Sequence, residues 1–356
     1  MKKNLVYMLA VTQDYVFAAG NIVLSLIRER PQKDFDIAIF YDEMPETDKK
    51  IFEDTGICRL IQYKCPSEFE KIIRRDCPKF NDEAFAKHFS FLKFAKFEIF
   101  NLLQDYHHAV WLDADISIQF DPSDIVNYEP FAITIDRGWT VQNNFIKAIP
   151  NYDMKRQGVC SAVFMVTDKM RNYSKMRNWC YKKAAEVCPF FKNIDQGIFN
   201  LLLQEFKIDY QLLPLDDYQC YTDRTEGAIA KIVHFGTPSK VWNNTEIIAS
   251  FPEWYRMHMK WMTLGGSDFA RPEDFSVVNV YQKLQSRNKE IKKWKDRANE
   301  LEKAIKVLQS LSKDKQEKSF KIKILGITLF KRKVKDNILR YFFLGIPFLK
   351  VKILEK

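Results

Sequence analysis

Short apolar runs alternate with helical patterns along the first two-thirds of the chain, and this alternation is the strongest constraint on its fold. Strand-like runs occur in NLVYMLAV, DIAIFYDE and HHAVWLDADI. AAGNIVLSLIRER and residues 85–103 lie between them and carry apolar residues at three- and four-residue intervals, which is typical of helices. The pattern predicts an α/β domain with a mostly parallel sheet, in which ligands bind at the carboxyl ends of the strands.

The same alternation continues further along the chain. FAITID, VCSAVFMVT and KIVHFG indicate more strands, while residues 169–186 and IDQGIFNLLLQEF indicate helices. We therefore expect one catalytic or binding domain over residues 1–262.

Two aspartates, Asp113 and Asp115, follow the apolar run AVWL. If both belong to a strand, their side chains point to the same face and can reach one ion. Two adjacent carboxylates repel each other, and a divalent cation such as Mg²⁺ or Mn²⁺ would compensate them. A surface turn without an ion is the alternative.

The composition excludes several classes of protein. Hydrophobic residues make up 46% of the 356 residues, which is too many for a generally disordered chain. We see no run of about 18 uncharged apolar residues, so no membrane-spanning helix is expected. MKKNLVYMLAVTQDYVF is interpreted as a first strand rather than a signal peptide. Seven cysteines without a CxxC pair predict reduced thiols in a cytosolic protein.

The positive charge is concentrated near the C-terminus. Residues 277–356 contain 22 Lys and Arg against 8 Asp and Glu, a net charge of +14. Since the whole chain carries +10, the part before residue 277 carries 10 − 14 = −4. The C-terminal part is therefore where an anionic partner is expected to bind.

A coiled coil is predicted after a linker at residues 263–276. Apolar residues recur at alternating steps of four and three over residues 277–318, with Arg287 at the one position that is not apolar. These residues are Val280, Leu284, Ile291, Trp294, Ala298, Leu301, Ile305 and Leu308. The pattern favours a homo-oligomer, and a single amphipathic helix packed on the first domain is the alternative.

Residues 319–356 contain an internal repeat. KIKILGITLFKRK (321–333) aligns with RYFFLGIPFLKVK (340–352), and both have an apolar centre flanked by basic residues. This short basic amphipathic tail suits the anionic inner leaflet of a membrane, where each Lys or Arg contributes about 1 kcal/mol. A small β-hairpin packed on the first domain is the alternative.

Four motifs and one basic residue between them resemble glycosyltransferase family 8, the retaining enzymes with the GT-A fold. The metal motif of the family is similar to Leu112–Asp113–Ala114–Asp115, and its first strand and uridine-binding turn are similar to LAVTQDY. FAKFE places a lysine upstream of Asp113, where the family carries a basic residue, while NIDQGIFN and HFGTPSKVW resemble the last two motifs. The resemblance covers about residues 4–242 and implies a UDP-sugar as donor substrate.

The resemblance implies a role for each matching residue. Asp113, Asp115 and His234 would bind Mn²⁺ or Mg²⁺, a mixed oxygen and nitrogen set that suits Mn²⁺. Asp195 would hold donor-sugar hydroxyls, and Gln196 would lie beside the anomeric carbon. The nucleotide and its phosphates would contact Ala10, Thr12, Asp14, Tyr15, Lys96 and Lys240, with Tyr15 stacked on uracil. Lys96 could meet nearby carboxylates instead of the phosphates.

Each of these residues also has a plain structural interpretation. Asp14 and Tyr15 fit a strand-to-helix turn, His234 a hydrogen-bonded core histidine and Lys96 a solvated helix face. Asp195 suits the first turn of a helix, where the helix dipole favours a carboxylate.

The sequence also departs from the family pattern. Cys160, Ser161 and Ala162 stand where the family has Asn-Ser-Gly, and Thr237 stands where it has glycine, with Gly236 one position early. Val241 replaces a proline. These changes concern the geometry of the donor sugar more than nucleotide binding.

Taken together, the sequence predicts a metal-dependent retaining hexosyltransferase. It would move glucose or galactose from a UDP-sugar to a lipopolysaccharide, lipooligosaccharide or other glycan acceptor. The predicted location is the cytoplasm, at the inner face of the cytoplasmic membrane. A catalytically degenerate UDP-sugar-binding scaffold is the main alternative, and nucleic-acid binding by the tail is the other, which the apolar repeats argue against.

Overall fold

The computed structural model describes two compact units, residues 1–280 and 281–356. The described residues of the first unit are 2–77, 90–222, 227, 229–236 and 240–269. Those of the second are eleven helical residues between 282 and 303 and the strand residues 320–324, 327–335, 338–343 and 346–352. The predicted domain boundaries at 262, 276 and 318 stay predictions.

The first unit is built on a seven-stranded sheet with the order β3-β2-β1-β4-β7-β6-β8. A three-stranded sheet, β5-β10-β9, lies beside it. The strands are β1 (Lys3–Val11), β2 (Asp36–Tyr41), β3 (Cys58–Gln62), β4 (Tyr106–Leu112), β5 (Ile116–Ile118), β6 (Phe131–Thr140), β7 (Gln157–Thr167), β8 (Gln211–Leu212), β9 (Cys220–Tyr221) and β10 (Ile232–His234).

Helices cover the large sheet and connect its strands. They are α1 (Val16–Glu29), α2 (Glu46–Asp54), α3 (Ser67–Asp76), α4 (Ile99–Leu102), α5 (Tyr173–Val187), α6 (Ile194–Glu205), α7 (Leu215–Tyr218), α8 (Thr245–Ser250) and α9 (Pro252–Thr263). β1 is apolar on both faces and buried from Leu5 to Leu9, as expected for a central strand between helices.

The predicted α/β class is confirmed, but the sheet is mixed. β1 pairs in parallel with β2 and with β4, whereas β7 pairs antiparallel with both β4 and β6. Consequently β1, β4 and β6 run in one direction, and their carboxyl ends meet at the same edge.

The segment predicted as a helix over residues 85–103 takes a different form. Residues Phe91–Glu98 form a 3₁₀-helix that continues into α4, and residues 85–89 lie outside the described residues. Phe91, Phe94 and Phe97 are three residues apart, the period of a 3₁₀-helix, and their rings contact each other in the core. Side-chain packing at this spacing favours the tighter helix.

Most of the predicted coiled-coil pattern cannot be compared with the structure. The described residues between 282 and 303 are helical, but all eight apolar heptad positions lie outside the described part of the chain. Self-association therefore stays a prediction.

The internal repeat forms two consecutive β-hairpins. β11 (Phe320–Ile324) pairs with β12 (Ile327–Lys335), and β13 (Ile338–Phe343) pairs with β14 (Ile346–Lys352), in a four-stranded antiparallel sheet. The register shifts after Ile322 in the first hairpin and after Tyr341 in the second, which are equivalent positions of the repeat. The repeat is thus a structural duplication with the same irregularity in each copy.

None of the helices in the described ranges combines the length and the apolar character needed to cross a bilayer.

Candidate active site

Two adjoining cavities open where the carboxyl ends of β1 and β4 meet. The larger cavity, of about 380 Å³, extends from Ala10 and Tyr15 to Asp195. The smaller, of about 200 Å³, is lined by Cys160, Gln196 and His234. Both cavities are lined by Asp113 and Asp195, so these carboxylates separate one cavity from the other.

Asp113, Asp115 and His234 converge on one point. One ligand atom from each residue lies within 4.8 Å of the others. The two aspartates lie in the turn between β4 and β5 rather than within a strand, because β4 ends at Leu112. The expectation that strand alternation aligns them is wrong, and the turn brings the carboxylates together instead.

His234 reaches this point from the small sheet. It pairs across from Ile116 in β5 and is 8% exposed, with Nε2 3.4 Å from an Asp115 oxygen. Its Nδ1 is buried and has no hydrogen-bond partner among the described residues. A Cβ on Gly236 would lie 2.8 Å from the ring, so the glycine lets the chain turn tightly around the imidazole. Thr237 lies outside the described residues.

This donor set fits a divalent cation. Two carboxylates and one imidazole provide the oxygen and nitrogen ligands that Mn²⁺ accepts, and a hard O-rich set also suits Mg²⁺. The separation of the ligand atoms is what a common ion between them requires.

Lys96 is a buried cation between two acidic groups. It is 3% exposed, and its Nζ lies 2.6 Å from Asp195 and 3.1 Å from Asp113, with a third bond of 3.0 Å to the carbonyl of Ser161. The ammonium also lies 4.8 Å from the ring centre of Trp111. All three N–H groups of the lysine therefore have acceptors, as a buried charge requires. It is not the solvated helix face of the alternative interpretation.

Charge and burial oppose each other in this cluster. Burial lowers the pKa of Lys96, but the Coulombic attraction of Asp113 and Asp195 outweighs burial, so the net pKa is raised. Burial raises the pKa of Asp113, and Lys96 offsets it only in part. For Asp195, burial is outweighed by Lys96 and Lys93, which hold its pKa below the usual range.

Lys240 is the counterion of Asp115. Its Nζ donates to an Asp115 oxygen at 2.6 Å and to the carbonyl of Phe235 at 2.5 Å. Burial alone would raise the pKa of Asp115, but the hydrogen bond and charge of His234 and Lys240 lower it well below its usual range. Each aspartate of the pair therefore has its own lysine.

The end of the larger cavity near β1 is aromatic and partly open. Ala10, Thr12 and Tyr15 line it, and Tyr15 is 38% exposed. The Tyr15 ring is nearly parallel to Phe17 at 6.2 Å and edge-on to Trp242 at 5.5 Å, so at most one face can stack on a planar ligand. Asp14 is exposed and is not among the residues that line this cavity.

Asp195 and Gln196 begin α6 at the opposite end of the larger cavity. Asp195 is in the first turn of the helix and Gln196 faces the smaller cavity. Cys160 and Ala162, which depart from the family pattern, line the smaller cavity as well. Burial raises the pKa of the Cys160 thiol to about 12, so this thiol is protonated near neutral pH.

The sequence analysis did not identify Asp136, which ends the apolar run of β6 and accepts a 2.7 Å hydrogen bond from Gln196. Burial raises the pKa of Asp136, and the bond from Gln196 offsets part of that effect. An acidic residue directly after an apolar run is the signal that marks Asp113, and it applies equally to FAITID. Trp111, Lys93 and Lys192 are further cavity residues that no motif marked.

Comparisons with known proteins agree with this architecture. The family model described as glycosyl transferase family 8 matches residues 6–246. No curated protein sequence matches the chain significantly.

Solved structures show the same fold at low sequence identity. The galactosyltransferase LgtC in complex with donor and acceptor sugar analogs aligns with a TM-score of 0.52 at 14% identity, covering 73% of this chain and 99% of LgtC. An active-site mutant of LgtC aligns with a TM-score of 0.51 at 13% identity, covering 76% of this chain and 98% of the mutant. The bifunctional glycosyltransferase WbbM, in its apo form, aligns with a TM-score of 0.50 at 15% identity, covering 74% of this chain. The chain spans only 52% of the length of WbbM.

Proposed function

This chain belongs to glycosyltransferase family 8, and on that premise we propose that it transfers a hexose from a UDP-sugar to a glycan hydroxyl with the help of a divalent cation. The observation that carries the proposal is the convergence of Asp113, Asp115 and His234 between the two cavities. An aromatic nucleotide site on one side and a polar sugar site on the other are what a nucleotide-sugar donor requires.

We assign the nucleotide to the larger cavity. Tyr15 would stack on the uracil, while Ala10 and Thr12 would contact the nucleoside through the end of β1. Asp14, in the turn after β1 but outside the cavity lining, would contact the nucleotide from the edge of the larger cavity. Asp113, Asp115 and His234 would hold the cation, which when bound supplies Lewis-acid neutralisation of the diphosphate.

Lys240 and Lys96 would have different tasks. Lys240 is half-buried and lines the larger cavity, where it can leave Asp115 for a phosphate oxygen of the donor. A cation on the leaving phosphate offsets the negative charge that develops there. Lys96 is enclosed, so we assign it to holding Asp113 and Asp195 in place.

The transfer step breaks one bond and forms another. The bond between the anomeric carbon and the β-phosphate oxygen breaks, and its electron pair leaves with UDP. The acceptor hydroxyl oxygen bonds to the anomeric carbon, and its proton passes to an oxygen of the leaving phosphate. Family membership supports retention of configuration. Asp195 would hold hydroxyls of the sugar, and Gln196 would lie beside the anomeric carbon.

The proposals for the acceptor and the location rest on the family resemblance and on the basic second unit. We propose a lipopolysaccharide, lipooligosaccharide or related surface-glycan acceptor at the inner face of the cytoplasmic membrane. The net charge of +14 over residues 277–356 and the duplicated hairpins support an attachment to anionic lipid. Self-association through residues 277–318 is part of the same proposal.

A scaffold that binds UDP-sugars without turnover is the second candidate. Cys160 and Ala162 line the smaller cavity in place of the family's asparagine and glycine, and this observation favours it. Tight UDP binding without any transfer or hydrolysis would support this candidate.

The deciding experiment measures UDP release. The purified full chain is incubated with Mn²⁺ or Mg²⁺ and a panel of UDP-hexoses, beside Asp113→Ala and the matched control Asp121→Ala. Asp121 also lies in a loop of the β4–β6 region but lines neither cavity. We expect metal-dependent release from one donor, lost in Asp113→Ala and kept in Asp121→Ala. Absence of both UDP binding and release in the wild type would refute the proposed function.

A further inference from the structure

The side-chain amide of Gln196 is held by two acceptors. Its Nε2 donates to an Asp136 oxygen at 2.7 Å and to the Asn144 side-chain oxygen at 3.2 Å. The amide nitrogen of Asn144 is itself bound, because it donates to the carbonyl of Val141 at 3.3 Å. Two oxygens therefore face the Gln196 nitrogen, and an inverted amide would place its oxygen against both.

The backbone around Gln196 is fixed as firmly as its side chain. Asn144 is fully buried, and its carbonyl accepts from the backbone N–H groups of Lys192 at 2.8 Å and Asn193 at 3.2 Å, just before α6 begins. The Asn200 side chain, one turn further along α6, donates to the Gln196 carbonyl at 2.9 Å.

Gly197 permits this close approach. A Cβ at position 197 would lie 2.9 Å from the Phe145 ring and 3.3 Å from the Cβ of Asn144. Both are closer than ordinary contacts, so a larger residue would push Asn144 away from the helix. The glycine after Gln196 is thus part of the arrangement that lets Asn144 reach the amide.

The oxygen of the Gln196 amide has no hydrogen-bond donor in the described part of the chain, and it is not fully buried. Gln196 lines the smaller cavity together with Asp113, Asp195 and His234. We propose that Asp136 and Asn144 are positioning residues that fix the Gln196 amide with its carbonyl oxygen toward the donor sugar.

This inference rests on the proposed function and assigns a physical task to Gln196. As the bond from the anomeric carbon to the phosphate breaks, the sugar gains positive charge. A carbonyl oxygen aimed at that charge stabilises it without reorganisation, whereas an NH₂ group in the same place would oppose it. The negative charge of Asp136 on the far side of the amide strengthens the carbonyl dipole.

The first test is kinetic and uses the full chain with the UDP-hexose that the wild type hydrolyses. Asp136→Ala is expected to lower kcat for UDP release about 10- to 100-fold, the effect of removing a partner that orients a functional group. The KM for the donor and the Kd for UDP should stay within about twofold. Asp136→Asn keeps an acceptor oxygen and is expected to recover most of the loss. A raised donor KM with unchanged kcat would overturn the inference.

A double-mutant cycle separates positioning from direct contact with substrate. If Asp136 acts through Gln196, Asp136→Ala has no further effect on kcat in a Gln196→Ala background. If kcat falls again by a similar factor, Asp136 acts on the substrate itself and the inference is wrong.

A third measurement needs no turnover, so it distinguishes failure of this inference from failure of the proposed function. The Gln196 side-chain NH₂ signals in an amide NMR spectrum are identified by their loss in Gln196→Ala. We expect Asp136→Ala to shift these signals and to speed their exchange with water. Unchanged signals would contradict the arrangement even in a protein that neither binds nor releases UDP, and backbone amide signals that match the wild type elsewhere show that the variant is folded.

Discussion

Lys96 shows how a single buried charge can support a whole site. Its ammonium lies between Asp113 and Asp195 and uses its third N–H for the carbonyl of Ser161. Without Lys96, the partly buried carboxylates of Asp113 and Asp195 would repel each other with no cation between them. The residue therefore contributes to stability before any substrate binds.

We expect Lys96→Met to destabilise the fold by about 3 kcal/mol in metal-free buffer, since removing one partner leaves buried charges uncompensated. Lys175→Met is the control, because Lys175 is an exposed lysine on α5 that lines neither cavity. That control should change the stability by less than about 0.5 kcal/mol. Urea unfolding of both variants measures the difference, and equal losses would show that Lys96 is not the structural cation described here.

Asp48 is a buried acid whose ionisation the fold does not favour. It is 0% exposed, one oxygen accepts the backbone N–H of Ser267 at 2.7 Å, and the other has no partner within the described ranges. Burial raises its pKa, although the bonds from Ser267 act in the opposite direction.

Asp48→Asn is expected to raise Tm at neutral pH, because the amide keeps the acceptor oxygen and removes the buried charge. Since the folded-state pKa of Asp48 lies above the unfolded-state value, the ionised carboxyl destabilises the fold above that pKa. The gain in Tm should therefore be largest at neutral pH and shrink as pH falls through the folded-state pKa. A gain that persists at acidic pH would point to another cause.

At the scale of elements, α1 and α9 pack through aromatic rings, and Trp261 makes the tightest of these contacts. Trp261 of α9 lies against Gly20 of α1 and Gly266 of the following loop, and a Cβ on either glycine would fall within 2.3 Å of a ring atom. The indole N–H donates to the carbonyl of Ser267 at 3.0 Å. The two glycines thus make room for the Trp261 ring, which anchors α9, the last helix within the described part of the first unit.

Gly20→Ala is expected to destabilise the fold by about 2 kcal/mol. An alanine in a helix interior is ordinarily better than glycine by about 1 kcal/mol, but the overpacked ring outweighs that gain. Thermal unfolding measures the effect. In a Trp261→Leu background the same substitution should cost much less, and an equal cost in both backgrounds would exclude a clash with Trp261.

The duplicated hairpins are the other informative elements. Both copies have the register shift at the equivalent position, although only some of their residues are identical. The shared spacing of apolar and basic residues, rather than residue identity, preserves the geometry.

At the scale of the whole molecule, charge divides the chain much as its compact units do. The part before residue 277 carries a net charge of −4 and the remainder +14. The two cavities and all predicted site residues belong to the first unit. Donor chemistry and attachment to a membrane are therefore expected to be separable.

A chain that ends at residue 280 should keep metal-dependent UDP release within about twofold and should no longer bind vesicles of phosphatidylglycerol and phosphatidylethanolamine. Vesicle sedimentation measures the binding, with phosphatidylcholine vesicles as the control. Binding of the full chain should weaken as salt rises, because salt screens the basic tail. If the full chain does not sediment with anionic vesicles, the proposed membrane attachment is wrong.

The same truncation tests self-association. Light scattering should give a multiple of the 42.2 kDa chain mass for the full protein and a monomer for the shortened one. A monomeric full chain would favour the single amphipathic helix over a coiled coil.

Local sequence determined the fold class, six of the strands and the positions of most site residues. Alternating strands and helices predict an edge where carboxyl ends meet, and Asp113, Tyr15 and Asp195 follow from motifs of a few residues. These features depend on neighbours in the chain, which a single sequence displays directly.

Tertiary structure decided how those residues meet. The burial of Lys96 and the hydrogen bond from Gln196 to Asp136 depend on contacts between residues far apart in the chain. The carboxylates of Asp113 and Asp115 come together because the backbone bends in the loop after β4. No local pattern specifies the contacts of Lys96 and Gln196, because their partners Asp195 and Asp136 lie 99 and 60 positions away in the chain. The sequence thus predicts which residue types form the site, while the packing of the sheet and helices determines how their side chains are oriented.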